Sequence, residues 1–311
     1  MNSVSVDPLS DVLALLKPKS YVSLGLDAGR DWAIDFPPPQ GIKFNAVLSG
    51  SCWLEMDGIA EPVRLEEGDC FLLTQSRPFR MMSDRSLPTI PAHDIYAHAK
   101  DGIATCNGGG AFFLVGSRFG FSGAGADLLV GILPPVVHIS EHSDQASVLR
   151  FAIDQMAREL RSRHPGGFLM TEHLAHIMLM QILRLYLAAP DTQGTGWLFA
   201  LADRQIGLAI GAMHAEPARR WTLQQLAALA GMSRSSFAER FKEKVGAAPM
   251  DYLTRWRMML ASDRLTNGSE PIGTIALSLG YESESAFSTA FKRVMARSPR
   301  RYGREAASQA R

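Results

Sequence analysis

The chain has 311 residues, a net charge of +1 and three cysteines, Cys52, Cys70 and Cys106. The length predicts two domains. The odd cysteine count, without metal-ligand spacing, excludes a disulfide framework and argues for reduced thiols in the cytoplasm. Acidic Asp7 and Asp11 and the lack of a long apolar run argue against a signal peptide. The apolar stretch from Ile177 to Leu187 is interrupted by Gln181 and Arg184 and is too short to span a bilayer, so no membrane partner is expected.

From Tyr21 to about His138, short runs of Val, Ile and aromatic residues alternate with turn signals such as Asp27-Ala-Gly, Phe36-Pro-Pro-Pro, Ser49-Gly50 and Asp57-Gly58. Ile42, Phe44, Ala46 and Leu48 alternate as a half-buried strand does, and Cys52, Leu54 and Met56 repeat the pattern across Ser49-Gly50. Many short strands with regular turns predict an antiparallel sandwich or barrel. Two stretches carry a resemblance to a cupin barrel: Gly41-Ile-Lys-Phe-Asn-Ala-Val-Leu-Ser-Gly, continuing through Leu65-Glu-Glu-Gly-Asp-Cys-Phe-Leu-Leu, and Gly131-Ile-Leu-Pro-Pro-Val-Val-His-Ile. Similar domains sense effectors in some transcription regulators. The resemblance implies metal-binding His at the positions of Asn45 and Phe79, and this chain has His at neither. His93 and His98 lie in a loop-like stretch. We therefore expect no metal, no cofactor and no catalysis. The interior would instead hold a small organic effector, lined by Trp32, Phe44, Asn45, Trp53, Phe71 and Phe79, although each of these serves equally well as core.

Asp144 to Arg163 and Gly167 to Ala188 read as two helices broken at His164-Pro-Gly-Gly. The second is apolar over most of its circumference and must be buried on more than one side, by the barrel and by a partner chain in a homodimer. Pro190 to Gly196 reads as a linker, and Trp197 to Ala215 as one helix.

The last 90 or so residues contain a degenerate repeat. Leu226-Ala-Ala-Leu-Ala-Gly-Met-Ser-Arg-Ser-Ser-Phe-Ala-Glu-Arg-Phe-Lys is matched by Ile275-Ala-Leu-Ser-Leu-Gly-Tyr-Glu-Ser-Glu-Ser-Ala-Phe-Ser-Thr-Ala-Phe-Lys. Gly231 pairs with Gly280, Phe237 with Phe287, Phe241 with Phe291, Pro249 with Pro299 and Tyr252 with Tyr302. Each copy is an apolar helix, a glycine turn and a second helix, the form of a helix-turn-helix. Thr222 with Gln225 predicts a capping box. In the second helix of each copy the phenylalanines bury one face. The opposite faces carry Ser235, Ala238, Glu239 and Lys242 in the first copy, and Ser285, Ser288, Thr289 and Lys292 in the second. Residues 1–150 hold 11 basic and 17 acidic side chains, whereas residues 215–311 hold 16 basic and 9 acidic. Positive charge thus lies on the repeat, as phosphate contact requires.

These motifs, with Pro249-Met-Asp-Tyr-Leu-Thr-Arg-Trp-Arg-Met and Phe291-Lys-Arg ahead of Ser298-Pro-Arg-Arg-Tyr, resemble the AraC/XylS-type transcription regulators from about Ile210 to Arg304. The resemblance implies a long helix over Met250 to Leu265 joining the motifs. It also implies recognition helices in successive major grooves about 34 Å apart. Its base-contacting positions fall on Ser235, Ala238, Glu239, Ser285, Ser288 and Thr289. Ala238 offers no hydrogen bond and Glu239 repels phosphate, so the second motif should discriminate bases more strongly. Met295-Ala-Arg stands where the family usually has Gly after the recognition helix. The expected fold is α+β. A cupin-like antiparallel barrel occupies 1–140, and a helical linker or dimerisation region 141–196. An all-α DNA-binding domain occupies 197–311, with motifs at about 222–245 and 271–295. The expected function is a cytoplasmic, effector-responsive regulator that binds double-stranded operator DNA, with RNA polymerase as a further candidate partner. Two alternatives stay open: a metal-dependent cupin enzyme carrying DNA-binding motifs, and a thiol-based redox sensor.

Overall fold

Asp7 starts the first element. Its carboxylate accepts from the Ser10 amide, Pro8 brings a preset φ, and helix α1 runs Pro8–Leu16 with Leu9, Val12, Leu13 and Leu16 buried. The computed structural model describes residues 7–120, 133–140, 147–162, 164–188 and 194–309. The chain divides into two compact units. One comprises the described residues between Pro18 and Thr192, the other those of Met1–Lys17 and Gln193–Arg311. This differs from the boundaries expected from the sequence. Helix α1 belongs with the C-terminal unit, because its apolar face packs on helices more than 180 residues later in the chain.

The first unit contains strands β1 (Lys19–Ala28), β2 (Ala33–Phe36), β3 (Ile42–Ser49), β4 (Ser51–Met56), β5 (Val63–Glu66), β6 (Cys70–Leu73), β7 (Phe79–Met82), β8 (Ile90–Pro91), β9 (Ile103–Cys106), β10 (Phe112–Gly120) and β11 (Val136–Ile139). A short helix α2 (Ala92–Tyr96) follows β8. The strands form two sheets, ordered β11-β6-β3-β10-β1-β9 and β5-β4-β7-β2-β8. The arrangement is cupin-like, but it is two facing sheets rather than a closed antiparallel barrel. Two edge pairings, β1 with β9 and β2 with β8, are parallel. Between the sheets lies one apolar core that includes Val47, Cys52, Leu54, Leu65, Phe71, Phe79, Met81 and Leu114. Although β3 and β4 are separated by a single residue, they belong to different sheets. Gly50 makes that crossing at φ +76, and a Cβ there would lie 2.2 Å from the Ala111 carbonyl oxygen.

Helices α3 (Ser147–Ser162) and α4 (Gly167–Ala188) belong to the same unit. Helix α4 buries Leu174, Met178, Leu179, Ile182 and Leu183 and packs on β1 and β11. His176 meets the Phe119 ring edge-on. The sequence-predicted linker at 190–196 lies largely outside the described residues.

The second unit is helical: α1, α5 (Trp197–Ala200), α6 (Arg204–Ala215), α7 (Leu223–Leu229), α8 (Arg234–Val245), α9 (Pro249–Asn267), α10 (Ile272–Ser278), α11 (Glu284–Met295) and α12 (Pro299–Gln309). The single helix expected over Trp197 to Ala215 is two. Asp203 accepts from the amides of Gln205 and Ile206 and so starts a new helix. Among the described residues no helix is long and apolar enough to cross a membrane.

Candidate nucleic-acid interface and inner-sheet cavity

In the first motif the Thr222 hydroxyl accepts from the Gln225 amide, while the Gln225 side chain accepts from the Thr222 amide. This reciprocal box fixes the start of α7. Gly231 turns at φ +65. Ser233 then caps α8 by accepting from the Ser236 amide at 3.2 Å. Phe237, Phe241 and Val245 bury one face of α8. Ser235, Glu239 and Lys242 are exposed on the other, with Ala238 half-buried at its edge. Gly246 ends the helix in the left-handed conformation.

The second motif repeats the construction. Gly280 turns at φ +81, where a Cβ would lie 2.2 Å from the Ala218 carbonyl oxygen, so this turn tolerates no side chain. Ser283 caps α11 by accepting from the Ala286 amide at 3.1 Å. Phe287 and Phe291 pack with Met258, Ala261, Ile275, Ala276 and Leu279. Ser285, Thr289 and Lys292 are exposed and Ser288 is half-buried. The Thr289 hydroxyl donates to the Ser285 carbonyl at 3.0 Å, so it faces outward as an acceptor. Ala296 ends α11 at φ 58, in the same left-handed conformation that Gly246 adopts.

Side chains that the sequence did not single out fix both motifs. Asp203 accepts from Arg240 Nε at 2.9 Å and Nη2 at 2.7 Å, which ties the recognition helix α8 to the start of α6. Burial would raise the Asp203 carboxyl, but the Ile206 amide, Arg240 and the Gln205 amide together hold it below the usual carboxylate value. Arg257 on α9 donates to the Pro217 and Arg219 carbonyls at 2.6 and 2.8 Å and so fixes the segment that enters α7. His214, buried at the end of α6, stacks on Trp256 with centroids 3.8 Å apart. Its Nε2 lies 2.7 Å from the Tyr252 hydroxyl, and its Nδ1 lies 3.3 Å from Asp11 of α1. A lone His in a helix gives no sequence signal for such a cluster. Burial lowers its pKa, against the opposing pull of the Asp11 carboxylate.

In the first unit the six residues expected to line an interior are not all brought together. Trp32, Phe71 and Phe79 sit in the core between the sheets. Phe44 is fully buried on the other face of β3, the face on the side of α3. Trp53 is half-buried on the outward face of β4, with the guanidinium groups of Arg64 and Arg85 at 5.2 and 5.9 Å from its ring centroid. Asn45 lines a cavity of about 260 Å³ together with Phe36, Lys43, Met81, Tyr96 and Leu114. Neither polar atom of the Asn45 carboxamide has a hydrogen-bond partner in the protein. Lys43 went unnoticed in the sequence, yet it shares the parity of Asn45 on β3. All three cysteines are free and buried. Burial pushes the Cys52 thiol up to about 12 and also raises Cys70 and Cys106, which disfavours the reactive thiolate. Among the described residues no three His, Cys, Asp or Glu side chains converge as a metal site would require.

Residues 7–188 match the cupin family, and residues 226–305 match a helix-turn-helix domain family. A protein of Streptomyces lividans, provisionally named an AraC-like transcription regulator, is 45% identical over 297 residues, covering 96% of this chain and 98% of that one. A similarly named protein of Streptomyces antibioticus is 44% identical with the same coverage. The HTH-type transcriptional regulator AlkR of Acinetobacter baylyi is 30% identical over 309 residues, 96% of this chain and 99% of that one.

Proposed function

Because the chain belongs to the AraC-type DNA-binding transcription regulators, with a cupin domain ahead of its helix-turn-helix domain, we propose that it is an effector-responsive regulator whose cupin unit binds a small molecule. The observation that carries the sensor reading is the cavity beside Asn45, whose buried carboxamide finds no partner in the protein. A polar group kept in that state costs about 1–3 kcal/mol, a cost that binding a ligand would offset. By linkage, a ligand that prefers one conformation of the regulator shifts its DNA-bound population.

On this reading Ser285, Ser288, Thr289 and Lys292 read bases, while Ser235, Ala238, Glu239 and Lys242 contribute more to placement. The regulator works in the cytoplasm as a homodimer, without catalysis, and RNA polymerase is the partner it would meet at a promoter. Support for the dimer comes from α3 and α4. Phe151 is 62% exposed and Phe168 71%, and Val148, Leu169 and Met170 are also exposed. A second copy would cover exposed apolar side chains of this kind isologously. The deciding experiment selects bound sequences from random DNA, then titrates candidate effectors with and without the selected operator. Reciprocity requires the operator to change effector affinity by the factor by which the effector changes operator affinity. Enzymatic turnover lost together with a stoichiometric, chelatable metal would replace this reading with that of a cupin enzyme.

A further inference from the structure

The cavity has an apolar wall and, on β3, two polar groups, Lys43 and Asn45, that the described residues leave without counterparts. Strand pairing sets Lys43 of β3 directly opposite Arg118 of β10, and Asn45 directly opposite Gly116. Directly paired residues leave a sheet on the same face, and like charges placed so are destabilising. No carboxylate among the described residues pairs with Lys43. The opposing glycine keeps the space before the Asn45 amide clear, since a Cβ at Gly116 would lie 2.7 Å from Asn45 Oδ1. Phe36, Met81, Leu114 and the ring of Tyr96 supply apolar lining, and His93 also borders the cavity. A volume of about 260 Å³ lies just below the range of roughly 300–1,000 Å³ usual for drug-sized ligands and suits a small organic molecule.

We propose that this cavity binds a small organic carboxylate, its anionic head held by Lys43 and Asn45 and its hydrocarbon body against Phe36, Met81 and Leu114. The proposal rests on the sensor reading above and specifies its ligand. An anion would relieve the repulsion between Lys43 and Arg118, and it would accept from the Asn45 amide nitrogen. The apolar wall favours a carboxylate on a hydrocarbon body over an inorganic anion.

The test uses the full-length protein with cyclohexanecarboxylate and 3-phenylpropanoate, each beside its neutral carboxamide, read by calorimetric titration and thermal melting. The acids should bind and raise the melting temperature, whereas the matched amides should bind at least tenfold more weakly. Lys43→Met should weaken acid binding at least tenfold, and Lys43→Arg should retain it. Lys43→Met should also melt higher than the parent without ligand, because it removes one of two facing cations. Burial, helped by Arg118, pushes Lys43 down to about 8. Three other titratable groups face it from neighbouring elements. Arg118 is paired opposite it across the strands, Tyr96 is pushed up to about 12, and His93 is exposed beside Asp94. Acid affinity should therefore fall, by at most about tenfold per pH unit, as pH rises above about 8. Amides binding as tightly as acids, unchanged acid binding by Lys43→Met, or no binding by either acid would each overturn the proposal. Operator binding measured in the same preparations separates such a failure from a failure of the regulator reading.

Discussion

The two recognition helices end in the same backbone conformation on different residues. Gly246 sits at φ 77 and ψ 4, and Ala296 at φ 58 and ψ 5. For an L-residue that conformation brings Cβ against the backbone and costs roughly 1–2 kcal/mol, a cost glycine avoids. Against this, alanine restricts the unfolded chain more than glycine does, an advantage of about 0.4–1 kcal/mol. Ala296→Gly should therefore stabilise the C-terminal unit by about 0.5–1 kcal/mol. Gly246→Ala should destabilise it by about 1 kcal/mol, because the conformational cost returns and its Cβ would lie 3.2 Å from Thr195 Cγ2. Differential scanning calorimetry of the full-length protein is the assay. A change of about 1 kcal/mol moves the transition by roughly 4 °C for a domain of this size. Operator affinity should not change, because neither position belongs to the exposed face of its helix that carries the candidate base contacts. A lower melting temperature for Ala296→Gly, or a neutral Gly246→Ala, would refute the reasoning.

Thr289→Val should relax base preference at one or two operator positions by about 1–3 kcal/mol. The hydroxyl already donates to the Ser285 carbonyl, so the lost preference should be for adenine or cytosine amino groups, and equal loss on every sequence would assign Thr289 to phosphate instead. Phe241→Ala and Phe291→Ala each delete a fully buried ring and should cost about 3–5 kcal/mol, read as lost DNA binding together with a lowered melting transition. Leu16→Ala removes a side chain of α1 that is 1% exposed. It should lower the melting of the C-terminal unit by about 2–5 kcal/mol, whereas a drop confined to the cupin unit would dissociate α1 from the DNA-binding helices. The pKa of His214 is lowered on folding from 6.5, so the unfolded chain binds its proton first. Stability should be fully present above about pH 6.5 and decline as pH falls below it, a slope that urea titrations of His214→Gln should show flattened.

What could be read from the sequence was what short-range chemistry decides. Thr222 with Gln225, Ser233, Ser283 and the two turn glycines act within one helical turn, and the repeated phenylalanines specify one face of one helix. Both motifs were legible for that reason, whereas the α9 helix between them was expected only from the family resemblance. The cupin unit depends on pairings between distant segments. Alternation in β3 marks Ile42, Phe44 and Ala46 as one face, but it cannot say that helices cover that face and the second sheet covers the other. The strand is buried on both sides along much of its length. The polar-looking set, Lys43 and Asn45, therefore turned out to be the inner one. Trp53 was within reach of the sequence: Cys52, Leu54 and Met56 define the buried parity of β4, and Trp53 has the other. The partnership of Asp11 with His214 spans 203 residues and involves two ordinary helices, so no local pattern encodes it. The cavity was hidden for the same reason. Its polar groups look like surface residues on a single strand, and their unusual position appears only once Arg118 and Gly116 are paired against them. Sequence reading is thus weakest where the fold sets polar groups inside by long-range register. Such a position is destabilising unless something from outside the chain satisfies those groups, so the same register that hides the cavity in the sequence also argues that it has a ligand.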